Sequence, residues 1–154
     1  SFGIEGANGV YIEGNEDMDI PVRFAKCCSP VPGDDIVGYI TRGHGVTIHK
    51  AECQNAQSAD KDRQVKVAWA DTESGSFCVS IKVTAYDKVG LLGEVTTFIG
   101  GMGVPIRNSS SGVDRKRIAT IRLVLEVKSR EQMENVIHQL ENRSDIIEIY
   151  RVTG

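Results

Sequence analysis

The sequence predicts an α+β fold in two units: a small β-hairpin/helix unit, then a βαββαβ unit. Three observations carry this. Two short apolar runs flank a Gly-containing turn in the first half. Strict period-two and helical spacings succeed one another in the second half. Between them lies a polar, small-residue stretch, "DTESGS".

The 154 residues allow one ordinary domain or two small ones. With 40% hydrophobic and 25% charged residues, the composition is that of a globular protein. No apolar run approaches the ~20 residues that span a membrane, so no membrane contact is expected. The start at Ser1, without Met or a signal-like pattern, fits a fragment of a longer protein. Residues 1–73 carry 7 basic and 12 acidic side chains, a balance of −5; residues 74–154 carry 11 and 9, a balance of +2. Neither half has the positive field of a general nucleic-acid binder, so any RNA contact must be local. Four cysteines are too few for a disulfide scaffold of this length, and Cys78 falls within a strand pattern; a reducing, cytoplasmic setting is expected.

Residues 1–19 are Gly- and acid-rich and read as a linker, with a short strand at 10–12. The first domain is expected over 20–70. "DIVGYIT" and "GVTIHK" are strand-like runs around "RGHG", a hairpin signature. "AECQNAQSADKD" is helix-compatible, and "VKVAW" at 65–69 alternates as one further strand. Residues 71–76 are the expected linker between domains.

The second domain, 77–153, is more regular. Phe77, Val79, Ile81, Val83 and Ala85 alternate with mostly polar residues, a strand with one buried face. Apolar residues at 89, 92, 95, 99 and 102 give helical spacing, ended by Gly100, Gly101 and Gly103. "VPIRNSSSGV" is a weak polar strand, and positions 119, 121, 123, 125 and 127 give a clean period of two. Ser129 and Gln132 form a capping box ahead of the face Met133, Val136, Ile137 and Leu140. "DIIEIYRV" closes the order β-α-β-β-α-β, the split βαβ or ferredoxin-like pattern with both helices on one face.

The chemistry concentrates in "KCCSPVPGDDIVGYITRGHGVTIHKAEC", with three of the four cysteines and two of the three histidines. Cys27, Cys28, His49 and Cys53 form a Cys₃His set of the kind that binds zinc. A helix beginning at His49 would put His49 and Cys53 on one face. Adjacent side chains in an extended segment point to opposite faces, so Cys27 and Cys28 can both ligate only across a bend, which Pro30 and Pro32 favour. Buried or free thiols with a surface histidine, or a strained vicinal disulfide, remain open on spacing alone. A catalytic metal is disfavoured because four protein ligands leave no open position. No base and orienting group mark one thiol as a nucleophile.

At these residues the chain resembles a known family. "RFAKCCSPVPGDDIVGYITRGHGVTIHKAEC" is similar to the conserved-cysteine, or zinc-finger, domain of the long Rel/SpoT-type (p)ppGpp synthetase/hydrolases. "SIKVTAYDKVGLLGEVTTFIGGMGVPIRN" is similar to the ACT, or RRM-like, domain that closes those proteins. Together the matches cover roughly residues 20–153 in the family's order. The resemblance implies a structural Zn²⁺ on Cys27, Cys28, His49 and Cys53. It implies a regulatory end without the catalytic regions, so no enzyme in this chain but a parent that is a GTP pyrophosphokinase, a (p)ppGpp hydrolase or both. It implies docking on a ribosome carrying uncharged tRNA, and relay of amino-acid starvation to the catalytic domains. A different reading makes the ACT unit an amino-acid sensor that pairs with a second copy.

Two surfaces are candidates for those partners. Arg42, His44 and Lys50 give the hairpin a local basic surface for ribosomal RNA, or simply solvated charge. The family's usual residue at His44 is Arg, so a contact there becomes pH-dependent or neutral. In "YDKVGLLGEV", Asp87 can cap the following helix, and Gly90 and Gly93 allow close backbone approach. ACT domains use such a loop with a second-strand residue to bind small effectors, which implies Asp87, Gly90, Leu91, Leu92 and Asn108 here; the plainer reading is a capped turn with both leucines in the core. Cys78 is expected to be structural and His138 solvated.

Overall fold

The computed structural model describes residues 9–14, 20–43, 45–70 and 75–152. The chain divides into two compact units, Ser1–Gly75 with Thr153–Gly154, and Ser76–Val152. Among the described residues no helix is long and apolar enough to cross a membrane. Parts of both stretches read as linkers, 1–8 and 15–19 of the first and 71–74 of the second, and His44 lie outside the described residues.

In the first unit, β3 (Ile36–Ile40) and β4 (Val46–Lys50) form the expected antiparallel hairpin. Residues read as linker contribute β1 (Val10–Ile12), which pairs antiparallel with β6 (Val67–Trp69). The expected single strand at 65–69 is two: β5 (Gln64–Val65) pairs with β3, and the chain changes sheets at Lys66 to enter β6. The second sheet has the order β2-β4-β3-β5, in which β2 (Val22–Phe24) runs parallel to β4. Val10, Ile12, Val46, Ile48 and Val67 form the core, with Phe24 and Trp69 stacked at 5.7 Å beside it. Gly38 lies where the two sheets meet: a Cβ there would come within 2.8 Å of Val67 Cγ1. A residue without a side chain is what lets β6 approach.

The second unit is the expected βαββαβ domain. Strands β7 (Phe77–Tyr86), β8 (Ile106–Val113), β9 (Ile118–Val127) and β10 (Ile146–Arg151) form an antiparallel sheet of order β10-β7-β9-β8. The alternating residues Val79, Ile81, Val83 and Ile121, Leu123, Leu125 are buried, as strand periodicity requires. With them are buried Leu91, Val95 and Ile99 of α2 (Leu91–Gly101) and Met133, Val136 and Leu140 of α3 (Arg130–Glu141). The helix face differs from the spacing 89, 92, 95: Val89 is fully exposed, because Gly90 turns left-handed (φ 82) and α2 begins only after it. Ser129 caps α3 by accepting from the Gln132 N–H, while Gln132 reaches one residue further back, to the Lys128 N–H. Cys78 is exposed on the face opposite the buried stripe.

Candidate metal centre

The parallel pairing of β2 with β4 builds this site. Parallel strands end on the same edge, so the turn leaving β2 and the end of β4 arrive together. The Ala25 N–H donates to the Ile48 carbonyl, closing the ladder where the thiols begin. Residues 25–29 then form one helical turn, closed by the Ser29 N–H on the Ala25 carbonyl at 2.9 Å, with Ser29 left-handed at φ 47. This is the bend the adjacent cysteines need: helical neighbours diverge by about 100°, not the 180° of a strand.

The other two donors come from the end of the hairpin. His49 lies in β4, and Cys53 is the N-cap of α1 (Gln54–Gln57). The expectation of a helix starting at His49 is therefore corrected. A tight turn, with the Cys53 N–H on the Lys50 carbonyl at 3.0 Å, brings Cys53 back beside His49.

The four donor atoms lie within 4.8 Å of one another. Cys27 Sγ is 4.0 Å from Cys28 Sγ and 3.6 Å from Cys53 Sγ; His49 Nδ1 is 3.5 Å from Cys27 Sγ and 3.8 Å from Cys28 Sγ. A tetrahedral centre with metal–sulfur bonds of about 2.3 Å and metal–nitrogen bonds of about 2.05 Å requires separations of about 3.8 Å and 3.6 Å. The cluster fits such a cation and, with four protein donors, leaves no coordination position open. All the thiols are free, which sets aside a vicinal disulfide.

Burial pushes the Cys28 thiol up to about 12, against the Lys50 N–H that donates to it and with the neighbouring thiols adding to the rise. Burial also acts to raise Cys53, but N–H groups of Ala56 and Asn55 and the two other thiols outweigh it and bring Cys53 below the usual thiol range. His49 is held below its usual value by burial and then by Arg23, which favours the neutral imidazole that a metal ligand requires. Tyr39 packs edge-on against the imidazole, its hydroxyl donating to the Ala56 carbonyl at 2.7 Å.

The remaining predicted residues do not all converge. Arg42 is exposed in the hairpin loop. Lys50 is corrected as an RNA contact: it is 8% exposed and its Nζ is bound to Glu52 at 2.8 Å. Two other cations, Arg23 and Arg63, join Arg42 along a groove of about 580 Å³ that Tyr39, Thr47 and His49 also line. No sequence signal pointed to Arg23, since the three residues of "VRF" are too few to show a period. In the second unit Asp87 does not cap α2; it accepts an ion pair from Arg117 at 3.8 Å, and the cap residue is Gly90. Leu91, 4% exposed, is core, which corrects its reading as an effector contact. Leu92 is half-buried on the first turn of α2, and Asn108 is exposed on the sheet-edge strand β8. No hydrogen bond among the described residues joins Asn108 to the loop.

A Cys₃His cluster is thus followed in the chain by a ferredoxin-like βαββαβ domain. The RelA/SpoT RIS domain family matches residues 10–70 and the ACT domain family matches residues 73–151. The chain thus belongs to the ACT domain family and, with its RIS domain, is the regulatory C-terminal region of a Rel/SpoT-type protein. It is 37% identical over 148 residues to a GTP pyrophosphokinase of Streptomyces coelicolor, covering 95% of this chain and 17% of that protein. It is 36% identical over 134 residues to the bifunctional (p)ppGpp synthase/hydrolase RelA of Mycobacterium tuberculosis, covering 86% of this chain and 18% of that protein. The chain thus spans under a fifth of these relatives. The solution structure of the ACT domain from a Chlorobium tepidum GTP pyrophosphokinase aligns with TM-score 0.46 and 20% identity, over 51% of this chain and 89% of that one.

Proposed function

We propose that this chain is the starvation-sensing arm of a cytoplasmic (p)ppGpp synthetase and/or hydrolase. It docks the enzyme on a ribosome carrying uncharged tRNA and relays that state to catalytic domains elsewhere in the protein. The observation that carries the reading is the joint presence of a RIS unit and an ACT unit in the order of relatives named GTP pyrophosphokinase. The cation we assign to Cys27, Cys28, His49 and Cys53 is Zn²⁺, for its preference for thiolate and imidazole in a tetrahedron. Bound there, it would supply a cross-link and no reaction. Its value follows from size: among the described residues the buried cluster of this unit is five aliphatic side chains with partly buried ones around it, small for an independent unit.

Co-sedimentation tests the docking. The chain is expected to pellet with ribosomes, more completely when the ribosomes carry deacylated tRNA. A chain that stays in the supernatant in both cases overturns the reading.

A second reading, amino-acid sensing by a paired ACT domain, is favoured by β8, an eight-residue edge strand whose residues after Ile106 are all exposed. Such an edge is open to a second copy. Light scattering that finds a dimer, with a melting temperature raised by one amino acid, would support it; a monomer indifferent to all twenty would discard it.

A further inference from the structure

Three arginines line one groove of the first unit. Arg23 of β2, Arg42 of the hairpin loop and Arg63 of the 3₁₀ turn Lys61–Arg63 line about 580 Å³ of space. None of the three has a carboxylate partner among the described residues. In the second unit Arg107, Arg117, Arg130 and Arg143 each face a carboxylate within 4.0 Å, while Arg115 and Arg122 have none among the described residues. The groove's one acidic lining residue, Asp60, directs Oδ1 to the Asp62 N–H at 3.0 Å.

Guanidinium forks match phosphate oxygens two at a time, so three arginines without carboxylate partners along one groove offer a phosphorylated ligand several charge-assisted contacts. The groove falls within the ~300–1,000 Å³ range of small-molecule sites. Tyr39 and Ile40 give it an apolar wall, and Thr47 a hydroxyl. His49 lines it too, with Nδ1 turned to the thiols. When Nδ1 holds a cation the ring proton sits on the other nitrogen, which is then a further donor. The surroundings argue for a compact ligand. The described residues of this unit carry 7 basic and 6 acidic side chains, which gives no extended positive track for a long polyanion, while the groove's volume suits a compact one.

We propose that this groove binds a compact, multiply phosphorylated small molecule of nucleotide size, its phosphates held by Arg23, Arg42 and Arg63. The site does not rest on ribosome docking, but it shares Arg42 with the hairpin surface considered for RNA, and an RNA probe separates the two.

Calorimetry on the metal-loaded chain tests it with three probes: GTP, inorganic tripolyphosphate and a 12-nucleotide single-stranded RNA. GTP and tripolyphosphate are expected to bind saturably at one site. Arg23→Gln, Arg42→Gln and Arg63→Gln should each weaken binding at least tenfold, while Arg107→Gln leaves it unchanged. The three groove side chains are exposed, and unchanged metal content and melting temperature would show that the variants fold. The wild-type chain gives a second readout needing no variant: the Nε–H resonances of the three arginines should shift on adding GTP, and that of Arg107 should not. Absence of saturable heat with both compact probes, binding that survives all three substitutions, or binding of the RNA alone would each overturn the proposal.

Discussion

The backbone N–H of Lys50 donates to Sγ of Cys28 at 3.3 Å, so the strand that carries His49 also holds the most buried of the three clustered thiols. Cys28 is thus joined to β4 with or without a cation. Replacing it removes a metal donor and leaves the Lys50 N–H without its acceptor.

Cys28→Ala should therefore lower metal content from about one cation per chain to near none. The first unit should lose its cooperative unfolding transition while the second unit keeps its own. Elemental analysis with calorimetric melting checks both. A variant that retains its metal, or a chelator-treated wild type that melts unchanged, would count against a structural cation.

Gly38→Ala should destabilise the first unit by about 1–3 kcal/mol, the usual cost of overpacking. The added methyl would meet Val67 at 2.8 Å and both Val46 and Val65 at 3.0 Å, and β-branched neighbours have little freedom to withdraw. Urea unfolding monitored at Trp69 reads this unit alone, since it holds the chain's one tryptophan. A loss below half a kcal/mol would contradict the close sheet contact.

In the second unit, burial acts to raise the Asp145 carboxyl, but Lys88, 3.0 Å away, and then Arg143 hold it below its usual value. A carboxylate lowered in the folded state contributes stability above its unfolded pKa of about 3.9, lost as pH falls through the folded value. Lys88→Ala should raise the Asp145 pKa, because burial then acts with less opposition, and should shift acid unfolding to higher pH. Carbon-detected carboxyl titration checks the direction; an unmoved Asp145 would remove Lys88 as the cause.

Leu91→Ala should cost about 2–5 kcal/mol, as for other buried leucines. Leu92→Ala, at a half-buried position, should cost clearly less. The contrast separates core from candidate loop surface in "GLLG", and equal losses by chemical denaturation would refute it.

The parts legible in sequence were those with a sustained period. Ten-residue β7 and β9 show their buried face in every second residue, and α3 announces its start through Ser129. Three-residue strands show no period, so the pairing of β1 with β6 and the parallel course of β2 were not readable. The helix face was misplaced at Val89 because spacing alone does not register the left-handed turn at Gly90. The ligand types were legible, but their convergence depends on long-range pairing. Lys50 is instructive: alternation along β4 puts it on the same side as Val46 and Ile48, which are core. Its burial was implied by the strand assignment, and charge alone misdirected the RNA reading. The opposite side of the same sheet carries Arg23, Thr47 and Tyr39 in one cross-strand row, which only the register reveals.

The parallel course of β2 also sets an order in time. A chain made from its N-terminus presents Val22–Phe24 well before Val46–Lys50, yet β4 is the only strand to which β2 pairs among the described residues. The first strand of this sheet to be synthesised therefore cannot join it until β4 is made, after which only β5 remains to be added. During that interval the hairpin can close by local contacts, while Cys27 and Cys28 await the imidazole and thiol that only the completed hairpin delivers.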